Sequence, residues 1–466
     1  MNRPGVGIVH LGIGAFFRAF GLPYLEDTMA AAGGDWGVIG VSLRSAGVRD
    51  RLAAQDCIYH ALELGAEAQR LRRITALRRV LFAGDERDEI LAAMADPAVS
   101  VVSLTVTEKG YCHAPATGTL NLDHPGIRHD LAQPDAPQTA PGFLLAGLRA
   151  RRAAGLRPFT CLSCDNLPGN GAVLRNVVLD LARAQDRALA GWIADQARFP
   201  GTMVDRIVPA TTPHDLRAVA DLAGAPDAAA VVHEPFRQWV IEDDFVDGVR
   251  PALQAAGVQM VVDVAPYEHM KLRCLNGSHS ALAYLGVLAG KPTVASAVAD
   301  RAFRQFIESL WLNEILPGFS PPPGEVPLLY VARLMARYRN PGIAHRTAQI
   351  AMDGSQKLPQ RILASVADNL AAGRPIARLG LVVAAWVRFL RGQTDAGVAY
   401  EVSDPLAERL QAAARGDDPV AAVLEIEQVF APDLAGDLRF REAVQHGYRK
   451  LAAQGVAATL AGSGDD

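Results

Sequence analysis

The stretch YEHMKLRCLNGSHSALAYLG, residues 267–286, repeats apolar residues at three- and four-residue intervals, the pattern of a buried helix. Glu268, Lys271, Asn276 and His279 interrupt that pattern, and a core helix has no packing use for them. An α-helix turns about 100° per residue, so with Lys271 at zero Glu268 falls at about 60°, His279 at about 80° and Asn276 at about 140°. All four share one face. Gly277, at about 240° on the same wheel, lies on the other side, where it can admit a close backbone neighbour. The NGSH run is poor helix-forming sequence, so propensity has been given up for something else.

An amine, an amide and an imidazole converging on one spot are what metal-free oxidation of a secondary alcohol needs. Partial burial lowers a lysine pKa, which lets the neutral amine of Lys271 take the hydroxyl proton. The Asn276 amide can donate to the oxygen as charge develops, a role worth about 2.7–4 kcal/mol per donor. His279 can hold a neighbouring hydroxyl, and Glu268 can couple Lys271 to solvent or restrain its charge. A purely structural account has Lys271 snorkelling to the surface, Glu268 pairing with it at i, i+3, and His279 satisfied in the core. That account suits each residue singly and the set poorly. No metal is expected: His269 and His279 do not make H-E-x-x-H, and no cysteine pair lies near. No G-x-S-x-G occurs for serine hydrolysis.

With 466 residues the chain is too long for one compact core, and two domains are expected. A net charge of −4 gives no footprint for nucleic acid or an anionic membrane. No secretory leader is visible in MNRPGVGIVHLGIGAFF, and no apolar run reaches the length of about 18 residues that spans a bilayer. Cys57, Cys112, Cys161, Cys164 and Cys274 form an odd, scattered set, which argues for a reducing compartment; a cytoplasmic protein is expected. Cys161 and Cys164 make one C-x-x-C among apolar neighbours, read as packing.

Residues 5–14, 36–43, 99–108 and 157–166 read as buried strands alternating with helices, AFFRAFGLPYLEDTMAAAG being the first. This predicts an α/β Rossmann-type domain with a parallel sheet over residues 1–266. Alanine- and leucine-rich segments then predict a mainly α-helical domain over 267–466, with the 267–286 helix near the boundary, where ligand sites are common. After the first strand comes Gly12-x-Gly14, a turn that lets backbone approach a pyrophosphate at a helix N-terminus, with Phe17 where a third glycine is usual. NAD is the expected cofactor, but the second strand runs into Arg44 with no acid to bind ribose hydroxyls, so NADP is left open. Candidate cofactor residues are Gly12, Gly14, Ala15, Phe16, Arg44, Thr107 and Glu108. Other strand ends carry Asp165 and Asn166, with Asn166 the better second donor to an alkoxide, and Asp205 with Arg206. Arg346, Lys357 and Arg361 suit a polyhydroxylated or carboxylated substrate if they face the site.

Together these residues carry a resemblance. Over nearly its whole length the chain resembles the long-chain mannitol dehydrogenase family of metal-independent polyol and aldonate dehydrogenases. The segments are GIVHLGIGAFFRAF, SLTVTEKGYC, SCDNLPGNG, FPGTMVDRIVP, FRQWVIEDDF, the 267–286 helix and AHRTAQIAMDGSQKLPQR. The family's K-x4-N-x2-H signature is filled by Lys271, Asn276 and His279. The resemblance implies Lys271 as general acid/base, Asn166 and Asn276 as the oxyanion pair, and Asp205 and His279 near the substrate. It further implies Arg346 and Lys357 lining the substrate pocket. TEKGYC, FRQWVIEDDF and AMDGSQKLPQR look more like the fructuronate reductase (D-mannonate oxidoreductase) branch, so D-fructuronate to D-mannonate is the expected reaction. A mannitol 2-dehydrogenase or arabinitol dehydrogenase is the alternative, and a non-catalytic sugar-acid or nucleotide sensor the rival from another class. The expected partner is a small sugar acid or polyol, with no nucleic acid or membrane, the chain acting as a monomer or weak homo-oligomer. The chain departs from the family in having Phe16-Phe17-Arg18-Ala19-Phe20 where F-H-R-A-H is usual.

Overall fold

The structure, a computed structural model, describes residues 3–114 and 117–462. Two compact units divide between Ala265 and Pro266. In the first, five strands form a parallel sheet in the order Leu77–Phe82, Gly37–Ser42, Val6–Leu11, Val101–Leu104, Thr160–Ser163. Strands covered by helices on both faces must be apolar throughout, and Val101–Leu104 is buried at every position. One face packs Val9, Leu11, Val102 and Leu104 against Phe143, Leu144 and Val177 of helices Ala140–Ala153 and Asn170–Gln185. The other packs Ile8, Val38, Val101 and Leu162 against Leu22 and Leu25 of helix Gly21–Ala32. The strand order reverses between Val6–Leu11 and Val101–Leu104, the switch point outside which open α/β sheets bind ligands.

Leu77–Phe82 is a strand that the sequence reading leaves out. Arg78 and Arg79 break its apolar run, and the sheet accepts them because this is an edge strand. Two smaller three-stranded sheets, one of Thr202–Asp205, Gln238–Glu242 and Gln259–Val261, also belong to this unit. The first predicted helix is broken at Phe20 (φ −121°) into Ala15–Ala19 and Gly21–Ala32. Cys161 and Cys164 are both buried and free, in cores on opposite faces of the sheet. A spacing of three on an extended chain puts them there, so they pack and do not pair.

The second unit is helical, with no named strand among the described residues. Ser278–Leu288, Ala377–Phe389 and Leu438–Ala461 form its centre. The last two helices approach so closely that a Cβ on Gly380 would sit 2.8 Å from that of Ala443. Three of its turns are π-helical: Lys271–Gly277, Trp311–Ile315 and Pro359–Leu363. Among the described residues no helix is long and apolar enough to cross a membrane.

Candidate active site

The 267–286 stretch is not one α-helix. Ala265–Met270 and Ser278–Leu288 are α-helical, and the Lys271–Gly277 turn joins them. The 100° wheel therefore overstates the separation of Lys271 and Asn276, because π hydrogen bonds run i→i+5 and set residues five apart one turn above another. Widening the turn leaves carbonyls for side chains to satisfy. The Cys274 carbonyl accepts from Ser278 Oγ (2.5 Å) and from Trp311 Nε1 (2.9 Å), and the Leu275 carbonyl from the Tyr338 hydroxyl (3.2 Å). Trp311 opens the second π turn. The third meets the first at Gly277, where a Cβ would lie 2.8 Å from the Arg361 carbonyl oxygen. Gly277 thus does admit a close backbone neighbour. Gly277→Ala is expected to cost about 1–3 kcal/mol, since a backbone oxygen cannot rotate away. A lower urea midpoint and a roughly tenfold or greater loss of turnover, from displacement of the flanking Asn276 and His279, should appear together.

Lys271 (7% exposed), Asn276 (8%) and His279 (6%) are all buried, so Lys271 does not snorkel to solvent. Glu268 is half-buried. Asn276 Oδ1 and His279 Nε2 have no hydrogen-bond partner among the described residues. Leaving such atoms buried costs about 1–3 kcal/mol each, and both are groups that a polyhydroxylated molecule would satisfy. The His279 ring lies 4.9 Å from that of Tyr338 and 4.9 Å from that of His345, the two imidazoles nearly perpendicular at 85°. Burial, and then the proximity of His345, Arg337, Arg361 and Lys271, hold His279 well below the usual imidazole range. Burial followed by Arg337 and Arg361 lowers His345 to about 4. Both rings are neutral at neutral pH, each keeping one acceptor nitrogen.

His345 and Arg337 are not singled out by sequence. His345 directly precedes Arg346, but no spacing relates it to His279, and only the fold sets the rings together. Arg346 itself is exposed, at the start of helix Thr347–Ile350. The Lys357 amine donates to the Met352 carbonyl (2.7 Å) and, through burial and then Arg361, has a lowered pKa. It braces its own turn. Arg361 is half-buried, and burial lowers it too.

In the first unit, the candidate cofactor residues all follow the carboxyl ends of three adjacent parallel strands. Gly12 has φ +93°, and a Cβ there would meet the Thr105 carbonyl oxygen at 2.1 Å; Gly14 is exposed, with nothing nearer its Cβ position than 3.8 Å. A turn with one glycine pressed to the sheet and another bare on its outer side fits a dinucleotide pyrophosphate. Ala15 and Phe16 are half-exposed, and Arg44, Thr107 and Glu108 exposed. The helix that follows has only five residues, so the long dipole expected from the sequence is absent. Phe17 stacks on His10 at 3.4 Å, and Phe20 packs against Phe16, Tyr24 and Trp239. Both are fully buried beneath the turn, so they repack its support and leave its outer side alone.

Asn166 is exposed just past Thr160–Ser163, and Asp205 is buried at the end of its strand. Arg206 is a structural residue: its guanidinium donates to the carbonyls of Ala19 (2.6 Å), Phe236 (3.0 Å) and Pro235 (3.2 Å). Asp165, placed by sequence at a strand end, accepts from the backbone N–H groups of Val106 and Thr107. Burial raises its pKa against the pull of those donors. Thr107 has φ 64° and ψ 162°, a region nearly confined to glycine. Holding a threonine there costs about 1–3 kcal/mol, a strain characteristic of functional sites. Among the described residues no group of three or more His, Cys, Asp or Glu gathers to hold a metal ion.

Known proteins resemble this chain over nearly its whole length. Residues 6–255 match the mannitol dehydrogenase Rossmann domain and residues 263–452 the mannitol dehydrogenase C-terminal domain. The D-mannonate oxidoreductase of Escherichia coli strain K12 is 45% identical over 461 residues, covering 97% of this chain and 95% of that protein. A mannitol 2-dehydrogenase of Phaeosphaeria nodorum is 41% identical over 468 residues, covering 99% and 82%. The solved ternary complex of Pseudomonas fluorescens mannitol 2-dehydrogenase with NAD and D-mannitol superposes with a TM-score of 0.86 at 39% identity, covering 99% of this chain and 94% of that one.

Proposed function

Because the chain belongs to the mannitol dehydrogenase family, whose members are oxidoreductases acting on CH–OH groups, we propose that it interconverts D-fructuronate and D-mannonate with NAD(H). The observation that carries the reading is the buried π turn bearing Lys271, Asn276 and His279, with the charges of Arg337 and Arg361 acting on both adjoining imidazoles. A secondary alcohol needs a base and an oxyanion donor, and a carboxylated one needs a cation besides.

In oxidation, Lys271 takes the hydroxyl proton while the Asn276 and Asn166 amides donate to the same oxygen as it gains charge. NAD, when bound, supplies the hydride acceptor. His279 Nε2 and Asp205 orient neighbouring hydroxyls, and Arg361 binds the carboxylate, with Arg346 and Lys357 at the pocket's margin. Glu268 passes the proton between Lys271 and solvent. In reduction the Lys271 ammonium returns the proton. Gly12, Gly14, Ala15 and Phe16 hold the pyrophosphate side of the cofactor, and Arg44, Thr107 and Glu108 its flanks.

A mannitol–fructose pair is the second reading, favoured by the likeness to the complex that contains D-mannitol. Absorbance loss of NADH and of NADPH, each with fructuronate and with fructose, separates the two. Rapid NADH oxidation with fructuronate alone is expected. Preference for fructose would transfer the assignment to the second reading, and no oxidation in any combination would reject both.

A further inference from the structure

Asp165 lies outside the set above, yet its carboxylate joins two of the loops on which that set depends. Oδ1 accepts from the Thr107 N–H (2.8 Å), and Oδ2 from the Val106 N–H (3.0 Å) and the Tyr111 hydroxyl (2.9 Å). The Tyr111 hydroxyl also meets Ser163 Oγ, at the end of the strand that leads to Asp165. Two residues before Thr107, Thr105 donates its hydroxyl to the Gly12 carbonyl (2.8 Å), and its own carbonyl closes over Gly12. On the other side, the Asp165 carbonyl accepts from Asn170 Nδ2 (2.9 Å), which also donates to the Thr202 carbonyl (2.9 Å). The residue after Asp165 is Asn166.

One carboxylate, 8% exposed, therefore stands between the glycine turn and the Asn166 loop. With three donors on its two oxygens it is an acceptor, not a proton carrier. Thr107 turns its N–H toward that carboxylate in a backbone conformation that threonine does not hold unaided.

We propose that Asp165 is a positioning residue that holds the strained backbone at Thr107, so that Thr107 and Glu108 present to the dinucleotide, and by the same contact fixes Asn166. This rests on the dinucleotide reading above but not on the identity of the sugar. Asp165→Asn replaces one acceptor oxygen by an NH2 group that faces a backbone or tyrosine donor, so at least one bond is lost and a donor is left opposed.

The test is NADH binding to the full chain, followed by cofactor fluorescence, with thermal melting alongside. Asp165→Asn is expected to raise the NADH Kd roughly tenfold or more, the worth of a hydrogen bond to a charged group, with melting close to wild type. In a Thr107→Gly background, which already lacks that residue's own contact with the cofactor, Asp165→Asn should cost much less than it does in wild type, because glycine adopts the required angles freely. A general packing defect would cost the same in both backgrounds. An unchanged Kd in Asp165→Asn, or an equal cost in both backgrounds, overturns the proposal. If Asp165→Asn does not fold, Tyr111→Phe decides in the same way, with weaker binding in wild type and a smaller loss in the Thr107→Gly background expected and unchanged binding overturning it. Wild-type protein that binds NADH but leaves fructuronate untouched would fail the substrate assignment alone. No binding of NADH or NADPH by wild type would sink the dinucleotide reading and this proposal together.

Discussion

Replacing Lys271 by alanine is expected to lower kcat by about 10²- to 10⁴-fold at neutral pH, the usual worth of a positioned general base. The NADH Kd should stay within about twofold, since the loss falls on the chemical step. Neither His279 nor Lys357 is suited to take over the role. His279 is held neutral and far below its ordinary range by burial and surrounding cations, which makes it a poor proton acceptor. The Lys357 amine is engaged with the Met352 carbonyl. Since Lys271 is buried, its truncation also leaves a cavity, so Lys271→Met serves as the control that keeps the volume. Both variants should lose turnover alike, and an added primary amine should restore activity to the alanine variant alone, where there is room for it. Near wild-type kcat in either variant would end the general-base assignment.

Asn276→Ala should lower kcat by about 10²- to 10³-fold, equivalent to about 2.7–4 kcal/mol, with little change in KM. An oxyanion donor acts on charge that exists only as the reaction proceeds, so its removal falls on kcat. The structure places this amide on a turn held from several directions, by Trp311 Nε1, Ser278 Oγ and the Tyr338 hydroxyl. That bracing holds the amide in one place, as an oxyanion donor requires. Asn276→Asp separates charge from packing: it keeps the side-chain size but opposes the developing alkoxide, and its kcat should fall below that of the alanine variant. If KM rises in both variants while kcat holds, Asn276 binds substrate and does not stabilise the oxyanion.

The α/β first unit was legible because parallel strands buried on both faces must be continuous β-branched runs, as in residues 99–108. Leu77–Phe82 escaped notice because an edge strand is free of that demand, and its arginines hide it. AFFRAFGLPYLEDTMAAAG predicts an unbroken first helix; the break falls at Phe20, whose ring is buried among Phe16, Tyr24 and Trp239. Asp165 was visible only as a loop acid, since its donors lie 54 to 59 residues away along the chain.

By itself the sequence singled out the residues proposed to carry the chemistry. A lysine, an amide and an imidazole set into an apolar repeat have no local explanation, and two glycines after a buried strand predict a turn wherever they occur. Tertiary structure alone decided the π turn beneath them. Its freed carbonyls are satisfied by Trp311 and Tyr338, tens of residues further on, and its close approach to Arg361 is set by packing at Gly277. Tertiary structure likewise decided that His345 meets His279 and that Thr107 is held in a glycine conformation. Each of these depends on a partner distant in the chain, which neither periodicity nor propensity can report.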